Sequence, residues 1–156
     1  MKIFKQIFAT AFFALLICSS ALAQREKSVL LASSEAKVLA KQCSRHSPEK
    51  FTGTWEPSRA VIKEMESNFS KIKKLEAKEC CFEGAQIENP DEFYMQYVGL
   101  ILDGKKLVYI SAFTTSEPYE GWKKSAAIIC DGGNAWGVLY DPIERKFFDL
   151  AVNGVG

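Results

Sequence analysis

Asp103-Gly104 stands between two nine-residue runs rich in β-branched and aromatic side chains, Tyr94 to Leu102 and Lys105 to Phe113. An Asp-Gly connection between such runs needs positive φ at both turn positions, which is the geometry of a tight antiparallel hairpin. A two-residue turn sets the register. Leu102 then opposes Lys105, Leu100 opposes Leu107 and Val98 opposes Tyr109. One face of the hairpin carries Val98, Leu100, Leu107 and Tyr109. The other carries Tyr97, Gly99, Ile101, Val108 and Ile110. Both faces are mainly apolar, so the hairpin must sit centrally or have cover on each side. Whatever else the chain builds has to supply that cover.

Downstream, Ser125 to Cys130 reads as a third strand, Ala135 to Tyr140 as a fourth and Lys146 to Val152 as a fifth. Asp141-Pro142 turns the chain between the last two. In the fifth run Phe148, Leu150 and Val152 alternate with Phe147, Asp149 and Ala151, a half-buried pattern. Upstream, Ser34 to Ser44 reads as a helix that Ser34 caps, with Ala36, Leu39 and Cys43 on one inward face. Arg45 to Glu56 reads as a loop. Pro57 and Ser58 open a longer amphipathic helix, whose stripe is Ile62, Met65, Phe69, Ile72 and Leu75. Ser67-Asn68 is weak in a helix and predicts a kink or break there. Helices followed by sequential strands define an α+β fold: N-terminal helices packed on an antiparallel sheet of about five strands.

The N-terminus reads as a leader rather than as part of that fold. Lys2 and Lys5 precede an apolar stretch from Ile7 to Ile17, and Ala21-Leu22-Ala23 is a small-x-small cleavage site. The apolar stretch is shorter than the roughly 20 residues a membrane-spanning helix needs. Residues 1–23 are therefore expected to be a cleaved signal peptide and 24–156 a single α+β domain, periplasmic or secreted, with no transmembrane segment in the mature chain. Cleavage of 23 of the 156 residues leaves 18 basic against 19 acidic side chains. That balance gives no ground for a nucleic-acid surface. Cys43, Cys80, Cys81 and Cys130 remain after cleavage, and an even count in an exported chain reads as disulfides. Three connectivities are open, although a bridge between neighbours Cys80 and Cys81 closes a strained ring.

No assembled catalytic set emerges. Cys130-Asp131-Gly132-Gly133-Asn134 lies between two expected strands, whereas a phosphate-cradling loop needs a helix N-terminus behind it. Asp131 and Asn134 are too few oxygen donors for a calcium loop, so the stretch reads as a turn. His46 is the single imidazole, which removes two-histidine zinc sites. Cys80-Cys81 lacks the spacing of a disulfide oxidoreductase. Glu117 and Glu120 share a polar loop and are the only acid pair with a conceivable acid–base role. No metal and no cofactor is expected. Trp55, Tyr119 and Trp122 stand in expected loops, where binding aromatics concentrate. They are the candidate binding residues, Tyr119 and Trp122 first.

Gln42-Cys43-Ser44-Arg45, Gly53-x-Trp55-x-Pro57-Ser58, Gln96-Tyr97-x-Gly99 and Val108-Tyr109-Ile110-x-Ala112-Phe113 resemble motifs of a group of small exported bacterial proteins. Cys130-Asp131-Gly132-Gly133, Trp136-Gly137-Val138-x-Tyr140-Asp141 and Asn153-Gly154 fit the same group. The resemblance spans most of the mature chain and brings no activity with it. It implies that Cys43 and Cys130 are partners, leaving Cys80 and Cys81 paired or free. The expected function is a non-catalytic binding or inhibitor-like module of the bacterial envelope, with another envelope protein as partner. The alternatives are an envelope hydrolase using the loop carboxylates and a structural envelope protein without ligand.

Overall fold

The structure is a computed structural model that describes residues 27–78, 82–130, 132 and 134–154. The expected leader, Cys80-Cys81, and Asp131 and Gly133 of the glycine turn lie outside the described residues. The fold is α+β. Six strands form one sheet: β1 (Ser28–Leu30), β2 (Gly53–Trp55), β3 (Tyr94–Leu102), β4 (Lys105–Phe113), β5 (Ala135–Asp141) and β6 (Lys146–Val152). The order is β1-β3-β4-β5-β6, with β2 also on β3. All pairings are antiparallel except β1 on β3, which is parallel.

The central hairpin has the register its turn demands. Leu102 faces Lys105, Leu100 faces Leu107 and Val98 faces Tyr109. Asp103 and Gly104 take φ values of 49° and 76°. Its two faces are covered separately. On one, Met65, Phe69 and Ile72 pack with Tyr97, Val108, Ile110 and Val138. These three come from helix α2 (Arg59–Ser67) and the 3-10 stretch Phe69–Lys74 that follows it. On the other, Ala36, Leu39 and Ala40 pack with Val98, Leu100, Leu107, Tyr109 and Leu139. The helices therefore sit on opposite faces, one for each apolar side of the hairpin.

Helix α2 starts where expected. The Ser58 hydroxyl accepts from the Val61 amide at 3.4 Å, which satisfies an otherwise orphaned donor. It breaks at Ser67-Asn68, where both side chains donate to the Glu64 carbonyl, at 2.7 and 2.8 Å. That bonding competes with the helix's own ladder.

Four expectations need correction. The helix read over 34–44 is a 3-10 turn (Ser33–Glu35) followed by a one-turn helix α1 (Ala36–Leu39), and Ser34 does not cap it. It stops because the Gln42 amide donates to the Leu39 carbonyl at 3.0 Å, taking the acceptor the next helical turn would use. Cys43 consequently lies outside the helix and is exposed rather than turned inward. The 45–56 loop contains β2, which pairs with Ile101, Leu100 and Gly99. In the last strand, Asp149 takes φ 52° at a register irregularity opposite Gly137–Leu139. That bulge interrupts the alternation, so Phe147 joins Leu150 and Val152 on the α2 face while Phe148 turns to the other.

The fourth correction concerns 125–130, which is not a strand. Its backbone bonds side chains instead of a neighbouring ladder. Ala127 N–H donates to Gln96 Oε1 (2.7 Å), and Gln96 Nε2 donates to the Ser125 carbonyl (2.8 Å). Gln42 donates to the Ala127 carbonyl (3.1 Å) and accepts from Ile129 N–H (3.1 Å). Asn153 donates to the Ile129 carbonyl (2.8 Å). Three buried amides thus replace a partner strand. This meets the requirement that buried backbone groups be paired.

Candidate functional site

Among the described residues, most of the buried polar side chains lie on the α1 face. Arg45 is only 5% exposed. Its guanidinium donates to Ser111 Oγ at 2.8 Å, to Asn153 Oδ1, and to the Tyr109 hydroxyl through Nε and Nη2 at 3.4 Å. All of these acceptors are neutral. Gly137 allows the approach: a Cβ there would lie 2.5 Å from the Tyr109 hydroxyl and 2.9 Å from Arg45 Nε. Ser111 and Gly137 face one another across β4 and β5, and Val98 and Leu139 flank Tyr109, so the sheet itself places this cluster.

Beside it opens a cavity of about 410 Å³. Leu102, Tyr109 and Leu139 supply its sheet-side wall, the loop from Arg45 to Lys50 supplies the opposite side, and the bulged Asp149 stands at its edge. Glu49, Lys50 and Asp149 are exposed, so water screens them, whereas Arg45 is buried. The volume falls within the range of small-ligand pockets, roughly 300–1,000 Å³.

Cys43 is bonded to Cys130, with a Cα–Cα distance of 5.0 Å across 87 residues of sequence. This is the pairing the motif resemblance implies. The bridge ties the Arg45 loop to the amide-clamped segment. Both cysteines are exposed, so the link is peripheral to the core.

The aromatic candidates separate. Trp122 is 7% exposed and stands edge-on to Tyr94 and Phe113, at 5.2 and 6.4 Å between ring centres. It is a core residue, which corrects its reading as an exposed loop aromatic. Tyr119 is 44% exposed and donates its hydroxyl to the Ser125 carbonyl, leaving the ring edge to solvent. Trp55 is not in a loop: it closes β2, is half-buried and donates to the Leu107 carbonyl at 2.9 Å. The three are not gathered into one site. Glu117 and Glu120 are both exposed, and only Glu120 borders the open depression between Pro118 and Lys124. His46 borders the Arg45 cavity. Among the described residues no group of three or more histidine, cysteine or acidic side chains could hold a metal. No described helix is long and apolar enough to cross a membrane.

Reading the sequence for exposed aromatics missed Arg45, Tyr109 and Asp149. The available signal was the Gln42-Cys43-Ser44-Arg45 motif, whose two long polar side chains both turn inward. Comparison with protein-family models, curated proteins and solved structures finds no match to this chain.

Proposed function

We propose that the chain is a non-catalytic binding module exported to the bacterial envelope, and that its partner is another envelope protein. The observation that carries this reading is the cavity beside Arg45. It offers a concave recess between the sheet and the Arg45–Lys50 loop, with a cationic group already held in place. A partner side chain entering the recess would meet a preorganised group, which lowers the ordering cost of binding. Exposed Tyr119 is a second, separate contact point on the same reading. Export rests on the N-terminal leader pattern, and the Cys43–Cys130 disulfide accords with an oxidising compartment.

The test is capture from envelope extract with the disulfide-bonded protein, followed by reconstitution of the complex from two purified components. Leu102→Trp, which places an indole at the half-buried edge of the recess, should abolish binding while leaving the circular dichroism spectrum unchanged. Tyr119→Ala should weaken binding measurably without abolishing it. A purified partner that binds Leu102→Trp as tightly as the parent protein would overturn the assignment of the recess.

A further inference from the structure

We infer that the recess is a carboxylate subsite, taking an acidic side chain of the partner against Arg45. The inference rests on the reading of the recess as the binding site and adds the chemistry it selects. A guanidinium has five N–H donors in a fixed fork and stays charged at any physiological pH. Four are engaged here, and the second Nη1 hydrogen has no acceptor among the described residues. None of the four bonds reaches a carboxylate, and no ion pair joins Arg45 to a described acid. Removing a charge from water is costly unless an opposite charge compensates it. Among the described residues, neutral hydroxyl and amide oxygens hold the guanidinium's geometry and no carboxylate balances its charge.

The surroundings narrow the class. Leu102, Leu139 and the Tyr109 ring give the recess apolar walls, suited to the methylenes that precede a carboxylate. The rim carries Lys50 and His46 against Glu49 and Asp149, all exposed, so selectivity for charge comes from buried Arg45 on the loop side. Charge-assisted bonds to a guanidinium are about twice as strong as neutral ones, and they are directional. The occupant is thus a carboxylate with an apolar stem, and a neutral amide of the same shape is the discriminating control.

The experiment titrates the isotope-labelled, disulfide-bonded protein with hexanoate and with hexanamide, following backbone amides and the Arg45 Nε–H by NMR. Hexanoate should give saturable shifts at Arg45, Tyr109 and Leu139, with affinity about ten-fold or more above that of hexanamide, as one charged hydrogen bond provides. Leu102→Trp should remove the response, which avoids any dependence on an Arg45 variant that fails to fold. Equal affinity for acid and amide, or shifts that persist in Leu102→Trp, would overturn the inference. Loss of the protein partner in Leu102→Trp together with equal acid and amide binding would sink the carboxylate subsite and leave the binding module standing. Hexanoate binding in the recess alongside a partner indifferent to Leu102→Trp would do the reverse.

Discussion

The two faces of the sheet are built on different principles. On the α2 face an amphipathic helix and its 3-10 extension lay Met65, Phe69 and Ile72 onto aliphatic and aromatic strand residues. Among the described residues, polar side chains of the helix also reach the sheet, where Glu64 accepts from Tyr140 and Glu66 accepts from Tyr97 and Ser28. On the α1 face the cover is one turn of helix, a loop and the segment 125–130. Gln42, Gln96, Asn153 and Arg45 hold these together through bonds that only one geometry satisfies. Burial of apolar area is non-directional and tolerates repacking, whereas a buried polar network is specific and fails when one member is removed. The contrast suits a scaffold face and a face that must hold a recess open in one shape.

The largest expected effect tests whether the α1 face depends on its staple. Cys43→Ala combined with Cys130→Ala should cost about 4–5 kcal/mol on the chain-entropy view of a bridge spanning this much sequence. The loss should be local first. Amides of Ala127 and Ile129 should lose hydrogen-exchange protection while those of α2 keep theirs. Uniform loss across both faces would break the comparison. Phe69→Ala is the counterpart on the α2 face, at about 3–5 kcal/mol for a large buried ring. Its edge contacts with Tyr97 and Phe147, at 6.5 and 5.9 Å between centres, would be lost with it. Urea unfolding measures both, and the Phe69 variant should retain hexanoate binding under native conditions.

A finer test uses conservative changes. Gln96→Leu keeps the volume close but orphans the Ala127 N–H and the Trp122 carbonyl, an expected cost of about 2–3 kcal/mol. Met65→Leu on the α2 face should cost under about 1.5 kcal/mol, because similar apolar shapes repack. Equal costs would show that the two faces tolerate substitution alike.

The same contrast explains what was legible in the sequence. The hairpin, its register and both of its faces follow from Asp103-Gly104, since turn chemistry and period-two burial are local signals. The α2 stripe, its Ser58 cap and the break at Ser67-Asn68 are local too. The α1 face was not legible because its rules are long-range. Gln42 ends a helix and bonds a segment 85 residues away, and nothing in a periodicity window distinguishes that role from an exposed glutamine. The run 125–130 has strand composition, yet its partners are side chains. Asp149 inverts the last strand's alternation through one positive φ, which an aspartate tolerates without announcing it. Trp122 was read from its polar neighbours, while its burial depends on Tyr94 and Phe113 from the hairpin. The cavity inherits this opacity, being framed by Arg45 and by the bulge.

The smallest effect concerns a polar contact on the α2 face and is separable by pH. Burial, and then the hydrogen bond and charge of Glu64, push the Tyr140 phenol above its ordinary value of 10.0. The native state therefore keeps this proton to higher pH than the unfolded chain does. By linkage, Tyr140 adds no pH dependence well below pH 10, where both states are protonated. Above that value the unfolded phenol ionises first, and stability falls as pH rises until the native phenol also ionises. Tyr140→Phe should cost only about 1 kcal/mol at neutral pH. Glu64 would still have the Arg145 guanidinium at 3.5 Å and the Asn68 amide at 3.2 Å. The variant should lose part of the alkaline decline, so urea midpoints of the two proteins should converge between about pH 9 and 11. An unchanged gap across that range would show that the Glu64 contact is not coupled to folding.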